Sequence, residues 1–150
     1  DEDDFKACRP LFEAMGTNIN YQGKAGSGQH AKMANQIMIA GALSGVCEAL
    51  AYAKAKGLNL DVFLRSVATG AAGSAQLNAF GEKIVCGDYR PGFYIKHFIK
   101  DMTLAKSEAE GEGLHLDMLR QVLANYEALT AEDGANGELG TQGLIKYYQK

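Results

Sequence analysis

From Ser27 to Lys56 the chain runs about 30 residues without a proline, which at 1.5 Å per residue is one helix roughly 45 Å long. Met33, Ile37, Ala40, Leu43, Cys47 and Leu50 recur at helical spacing and form one apolar face. Ala34, Met38, Ala42, Val46 and Ala53 make the other faces apolar too, so this helix is expected to be buried among others. The uncharged run from Met33 to Cys47 is shorter than the ~20 residues that cross a bilayer and contains Asn35 and Gln36. A buried helix of a soluble domain is therefore expected rather than a membrane span. Gly41 and Gly45, at GxxxG spacing, permit close helix contact.

The remaining chain must supply what surrounds that helix. With 150 residues, 47% hydrophobic and 22% charged, it can bury the core of one globular domain. Two Pro against 18 Gly, no Trp and no sustained alternation of β-branched residues point to helices joined by Gly-rich turns, an all-α fold. Asn59-Leu60-Asp61 opens a helix to about Ala68, and the small-residue stretch 69–73 ends it. Ser74 caps the next, to about Cys86, before the turn residues 87–92. Further helices are expected over 93–110, 116–129 and 139 or 140 to 148, the last two separated by a polar stretch.

The chain opens differently. Residues 3–15 place Phe5, Cys8, Leu11, Phe12 and Met15 at helical spacing behind an Asp cap, although Pro10 falls inside. Thr17–Gln22 reads as a short extended strand after Gly16. A lone strand leaves its backbone donors and acceptors unpaired, so residues 1–23 are expected to be the tail of a preceding domain and 24–150 a helical domain. The start Asp1-Glu2-Asp3-Asp4, with no initiator Met and no signal peptide, agrees with a chain cut from a longer one.

Composition also narrows the chemistry. A net charge of -3 with no clustered Lys or Arg offers no footprint for nucleic acid or an anionic membrane. Cys8, Cys47 and Cys86 are far apart with no CxxC pair, which fits reduced thiols in a cytoplasm. His30, His97 and His115 share no metal-ligand spacing, and no Ser lies in a GxSxG elbow, so neither a metal nor a nucleophilic mechanism is expected. The strongest signal is polarity at the start of the long helix, where Gly26 and Gly28 precede Lys32, Asn35 and Gln36. The last three lie at i, i+3 and i+4, on one helix face. An ammonium beside two amides can bind and polarise a small oxyanion or carbonyl; the bland alternative is a loop and a helix start.

The segment GxGxxxKxxN, here Gly26, Gly28, Lys32 and Asn35, resembles the catalytic-lysine segment of the β-hydroxyacid dehydrogenases, the family of 3-hydroxyisobutyrate dehydrogenase and tartronate semialdehyde (2-hydroxy-3-oxopropionate) reductase. KMANQ (32–36), CEALAYAKAKGLN (47–59) and RPGFYIKHFIKDMTLA (90–105) are similar to further family segments in the same order, and AMGTNINYQG (14–23) resembles the last strand of its Rossmann domain.

The resemblance implies hydride transfer between NAD or NADP and a small 3-hydroxy acid or its semialdehyde. It further implies a helical C-terminal domain, preceded by a helix-strand remnant of the Rossmann domain, that pairs into a homo-oligomer through its helices. Lys32 then matches the catalytic general acid/base, Asn35 and Gln36 the substrate-binding amides, and Lys100 with Asp101 the cofactor-facing pair, with Lys96 extending a cationic patch and Phe93 at the cleft. Many relatives have Asn where this chain has Gln36, a residue it shares with the tartronate semialdehyde reductases, while sugar-phosphate enzymes carry His-Asn after the lysine. The Rossmann fingerprint and the family's Ser-Gly-Gly loop are absent from these residues, so the fragment alone is expected to be inactive. The competing reading is a non-catalytic helical oligomerisation or interaction module.

Overall fold

In the computed structural model, which describes residues 1–149, seven α-helices follow one another: α1 Glu2–Glu13, α2 Ser27–Ala55, α3 Leu60–Val67, α4 Ala75–Cys86, α5 Ile95–Gly111, α6 Asp117–Glu132 and α7 Ile145–Tyr148. Two 3-10 turns, Gly134–Glu138 and Thr141–Leu144, lie between α6 and α7. The all-α expectation holds.

Local chemistry sets the helix ends. Gly26, at φ 92°, turns into α2 through the left-handed region that favours glycine. Asn59 and Ser74 cap α3 and α4 by accepting from the amides of Val62 (3.0 Å) and Leu77 (3.1 Å). α1 continues through Pro10, and Phe5 packs its ring against Phe12 and Tyr21 at 5.6 and 5.3 Å.

α2 is the spine of the domain and packs against α3 to α7. Ala40, Leu43, Cys47 and Leu50 are buried against Phe98 and Met102 of α5, Leu119, Leu123 and Tyr126 of α6, and Ile145 of α7. By length and composition α2 could also cross a membrane; here its Leu43 and Cys47 are sealed inside the helical core. Burial on every side, however, is not what the fold provides. Met38, Ala42, Gly45, Ala49 and Tyr52 form an open strip, because α3 to α7 cover only the opposite faces of the helix.

Two other expectations are corrected. Residues 17–22 carry no strand: among the described residues no second strand lies beside them to complete a ladder. The expected helix from 139 or 140 to 148 is helical in its α form only over Ile145–Tyr148, since Gly140 and the 3-10 turn after it are engaged elsewhere. The amide of Gly140 donates to Tyr89 O (2.8 Å), that of Thr141 to Phe93 O (3.1 Å), and Leu139 O accepts from Ile95 N (2.9 Å). Gln142, fully buried, adds Nε2 donations to Asp88 O and Arg90 O at 3.0 and 3.2 Å. Residues 139–142 thus form a strap that fastens the 88–94 loop to the start of α5.

Phe98 is fully buried and meets Tyr126 edge-on at 5.5 Å, and the Tyr126 hydroxyl is satisfied by Thr141 O at 2.8 Å. Phe98→Ala is expected to cost about 3–5 kcal/mol in denaturant unfolding through the cavity it leaves. Burial pushes the Cys47 thiol up to about 12. In the native chain Cys47 should resist a thiol reagent at pH 8 that labels exposed Cys86, and should react once the chain is unfolded; labelling of Cys47 in the folded state would contradict this core.

Candidate active site

α2 and α5 bring together residues far apart in sequence. One turn into α2, Lys32 reaches forward to Gln36, its Nζ donating to Oε1 at 3.0 Å. Gln36 is 3% exposed, and its Nε2 donates across the helix pair to Oδ2 of Asp101 at 2.8 Å. The other carboxylate oxygen of Asp101 pairs with Lys100 Nζ at 2.9 Å. The four side chains form one relay: Lys32, Gln36, Asp101, Lys100.

Chemistry fixes the orientation of the central amide. An ammonium has only donors and a carboxylate only acceptors, so the Gln36 oxygen must face Lys32 and its nitrogen Asp101. Burial alone would raise the Asp101 carboxyl; the hydrogen bonds from Lys100 and Gln36, with the charges of Lys100 and Lys32, outweigh it and hold it below the ordinary carboxylate range. Asp101 is therefore ionised at neutral pH and supplies a fixed negative charge behind the lysine.

Lys32, Gln36 and Asp101 border two recesses. One, about 170 Å³, is completed by Gln29, Met33 and Leu104. The other, about 270 Å³, is completed by Ile39 of α2, Gln76 and Phe80 of α4, Phe93 of the strapped loop and Thr141 of the strap. The Lys32 side chain is exposed at this border, so its ammonium is available to a small molecule.

The residues singled out by sequence do not all take part equally. Lys32, Gln36, Lys100 and Asp101 are joined in the relay, and Phe93 lines the larger recess. Asn35 is exposed and touches the relay only through its Nδ2, 3.3 Å from Gln36 Oε1. Lys96 does not extend the Lys100 cation: its Nζ is held by Glu138 at 2.7 Å and lies 5.2 Å over the Tyr94 ring. Gln76, Phe80 and Thr141 were not foreseen. Nothing in their local sequence marks them, since the packing of α4 and the strap around α2 brings them to the recess.

Residues 26–148 match the family described as NAD-binding of NADP-dependent 3-hydroxyisobutyrate dehydrogenase. The chain is 48% identical over 146 residues to the uncharacterized oxidoreductase YkwC of Bacillus subtilis, covering 97% of this chain and 50% of that protein. It is 37% identical over 116 residues to 2-hydroxy-3-oxopropionate reductase of Escherichia coli, covering 77% and 40%. Its fold superposes on the 3-hydroxyisobutyrate dehydrogenase of Salmonella typhimurium with a TM-score of 0.87 at 24% identity, covering 95% and 50%. The chain thus spans about half the length of the relatives it matches. The whole relay lies within the matched span, and the chain belongs to this NAD-binding family of the 3-hydroxyisobutyrate dehydrogenases.

Proposed function

We propose that this chain is the helical half of an NAD(P)-dependent oxidoreductase that transfers a hydride between nicotinamide and a small 3-hydroxy acid or its semialdehyde, with Lys32 as general acid/base. The observation that carries this reading is the relay from Lys32 through Gln36 to Asp101 at the border of the larger recess. Residues 24–150 form the substrate and dimerisation domain. Residues 1–23 belong to a preceding nucleotide-binding domain, a reading supported by α1, which buries none of its residues. The open strip on α2 supports a homo-oligomer formed through the helical domain.

The donor set suits an anionic cofactor with an aromatic ring. The exposed Lys100 ammonium stands on α5 next to Asp101, which borders a recess walled by Met33 and Leu104. Lys100 would hold the cofactor from this side, and its pairing with Asp101 orients it. When bound, the nicotinamide supplies or accepts the hydride. Its other contacts belong to the preceding domain, so the helical half alone is inactive.

This chain's own residues handle the proton. In reduction, one Lys32 N–H stays on Gln36 Oε1 while another hydrogen-bonds the substrate carbonyl oxygen. As that oxygen gains charge, the proton passes from Nζ to it, giving the hydroxyl and a neutral amine. Oxidation reverses the transfer: the amine takes the hydroxyl proton. Gln36, fixed by Asp101, holds Nζ in place through both states, and Asn35 stands ready as a second amide for the substrate.

In the full-length protein, Lys32→Ala is expected to lower kcat/KM by about 10³-fold or more while the dissociation constant of the cofactor stays within about twofold. Unchanged turnover would overturn the assignment. Lys100→Ala should instead weaken cofactor binding several-fold, less so at high salt.

The depressed Asp101 carboxyl adds a stability signature. Its contribution is fully present above the unfolded carboxylate value, near pH 4, and is lost as pH falls through its lower folded value. Asp101→Asn should therefore be less stable at pH 7, with the deficit shrinking in urea titrations as pH drops below about 4.

A further inference from the structure

Gln76 is the second residue of α4, and the helix does not need it as a cap, because Ser74 already accepts from the Leu77 amide. Its side chain lines the larger recess together with Lys32, Gln36 and Asp101. Its Oε1 is shut off from solvent and has no hydrogen-bond partner in the fold. A buried amide oxygen left in that state is destabilising unless a donor reaches it.

Among the described residues one other buried side-chain atom, Gln142 Oε1, also lacks a partner, and it has a structural account. Gln142 spends its Nε2 on Asp88 and Arg90 to hold the strap, and its amide lies against Gly140, where any Cβ would collide with it. Gln142 does not line the recess. Gln76 has no such structural duty: the residue lines the recess, while its unmet acceptor is turned away from the open space.

We propose that Gln76 reads the substituent on the substrate carbon next to the reacting one, accepting a hydrogen bond from a hydroxyl there and so favouring a 2-hydroxy-3-oxo acid over its 2-methyl counterpart. The inference rests on the hydride-transfer reading above. With the reacting oxygen at Lys32, a three-carbon semialdehyde has two other groups to place. Its carboxylate is acceptor-only and cannot satisfy Oε1. A 2-hydroxyl can, once rotation of the Gln76 amide turns Oε1 toward the recess. A methyl of similar size fills the same space between Ile39, Phe80 and Phe93 but leaves the oxygen unmet. A site built to bond a hydroxyl discriminates against the analogue that lacks it.

The test uses the full-length enzyme with saturating cofactor, comparing wild type with Gln76→Met, which keeps side-chain length and removes the amide. Two ratios are read: kcat/KM for 2-hydroxy-3-oxopropanoate over 2-methyl-3-oxopropanoate, and the relative affinity for the corresponding reduced acids, 2,3-dihydroxypropanoate and 3-hydroxy-2-methylpropanoate. Wild type should favour the hydroxyl member of each pair, and Gln76→Met should shrink both preferences by about tenfold, chiefly through the hydroxyl ligand. Equal ratios in wild type and variant would overturn the proposal, including the case in which both ligands weaken together because Gln76 meets the carboxylate. If wild type turns over neither semialdehyde, the hydride-transfer reading fails, and the affinity ratio of the two acids still decides the role of Gln76.

Discussion

Gln36 is a neutral side chain placed between a cation and an anion on two different helices. Its amide can satisfy both only in one orientation, oxygen to Lys32 and nitrogen to Asp101, and so ties α2 to α5 at this point. A lysine salt-bridged directly to Asp101 would hold its ammonium against the carboxylate, whereas an amide between them passes on the electrostatic bias and keeps Nζ at the edge of the recess. The burial of Gln36 matters equally. At 3% exposure, water competes little for its hydrogen bonds, so the pair of helices carries a fixed polar contact in an otherwise apolar seam.

Around that contact, the fold separates the packed core from the open, polar end of α2. The deep half of α2, from Ala40 to Ala53, is packed against Phe98, Met102, Leu119 and Ile145, and carries no charge facing the core. The first turns of α2 are left open and polar. A long helix lets both requirements be met by one rigid element: the packed end fixes the direction of the axis, and the free end points Lys32 to a place that no loop has to define. The recess then takes its walls from neighbours that pack on the same helix, which is why residues of α4 and the strapped loop appear in it.

Much of this was legible in the sequence because it rests on short-range rules. The absence of proline from 27 to 56, the caps at Asn59 and Ser74, and the spacing of Lys32, Asn35 and Gln36 are each readable within a few turns of helix. What the sequence concealed depends on pairing between distant segments. The chain pattern allowed a strand at 17–22, but a strand exists only with a partner. Lys96 and Lys100 are one turn apart and looked like one cationic patch, yet Glu138, from the turn after α6, claims Lys96 for itself. Burial of α2 on all sides was overestimated for a similar reason: hydrophobicity says that a face can be covered, not that a neighbour will cover it. Gln76 carried no local signal, and only its unmet oxygen in the folded chain marks it.

The strap between Thr141 and Phe93 has a consequence for the order in which this molecule comes into being. On a ribosome, Lys32 and its helix emerge before Asp101, and Asp101 before residues 139–142. The wall of the recess is finished only when residues 139–142 arrive, since Gln142 must find Asp88, 54 positions behind it. A contact of that separation requires the loop between its partners to be closed at an entropic cost. A nascent chain therefore holds Lys32 for a period in which the recess beside it lacks its Thr141 wall.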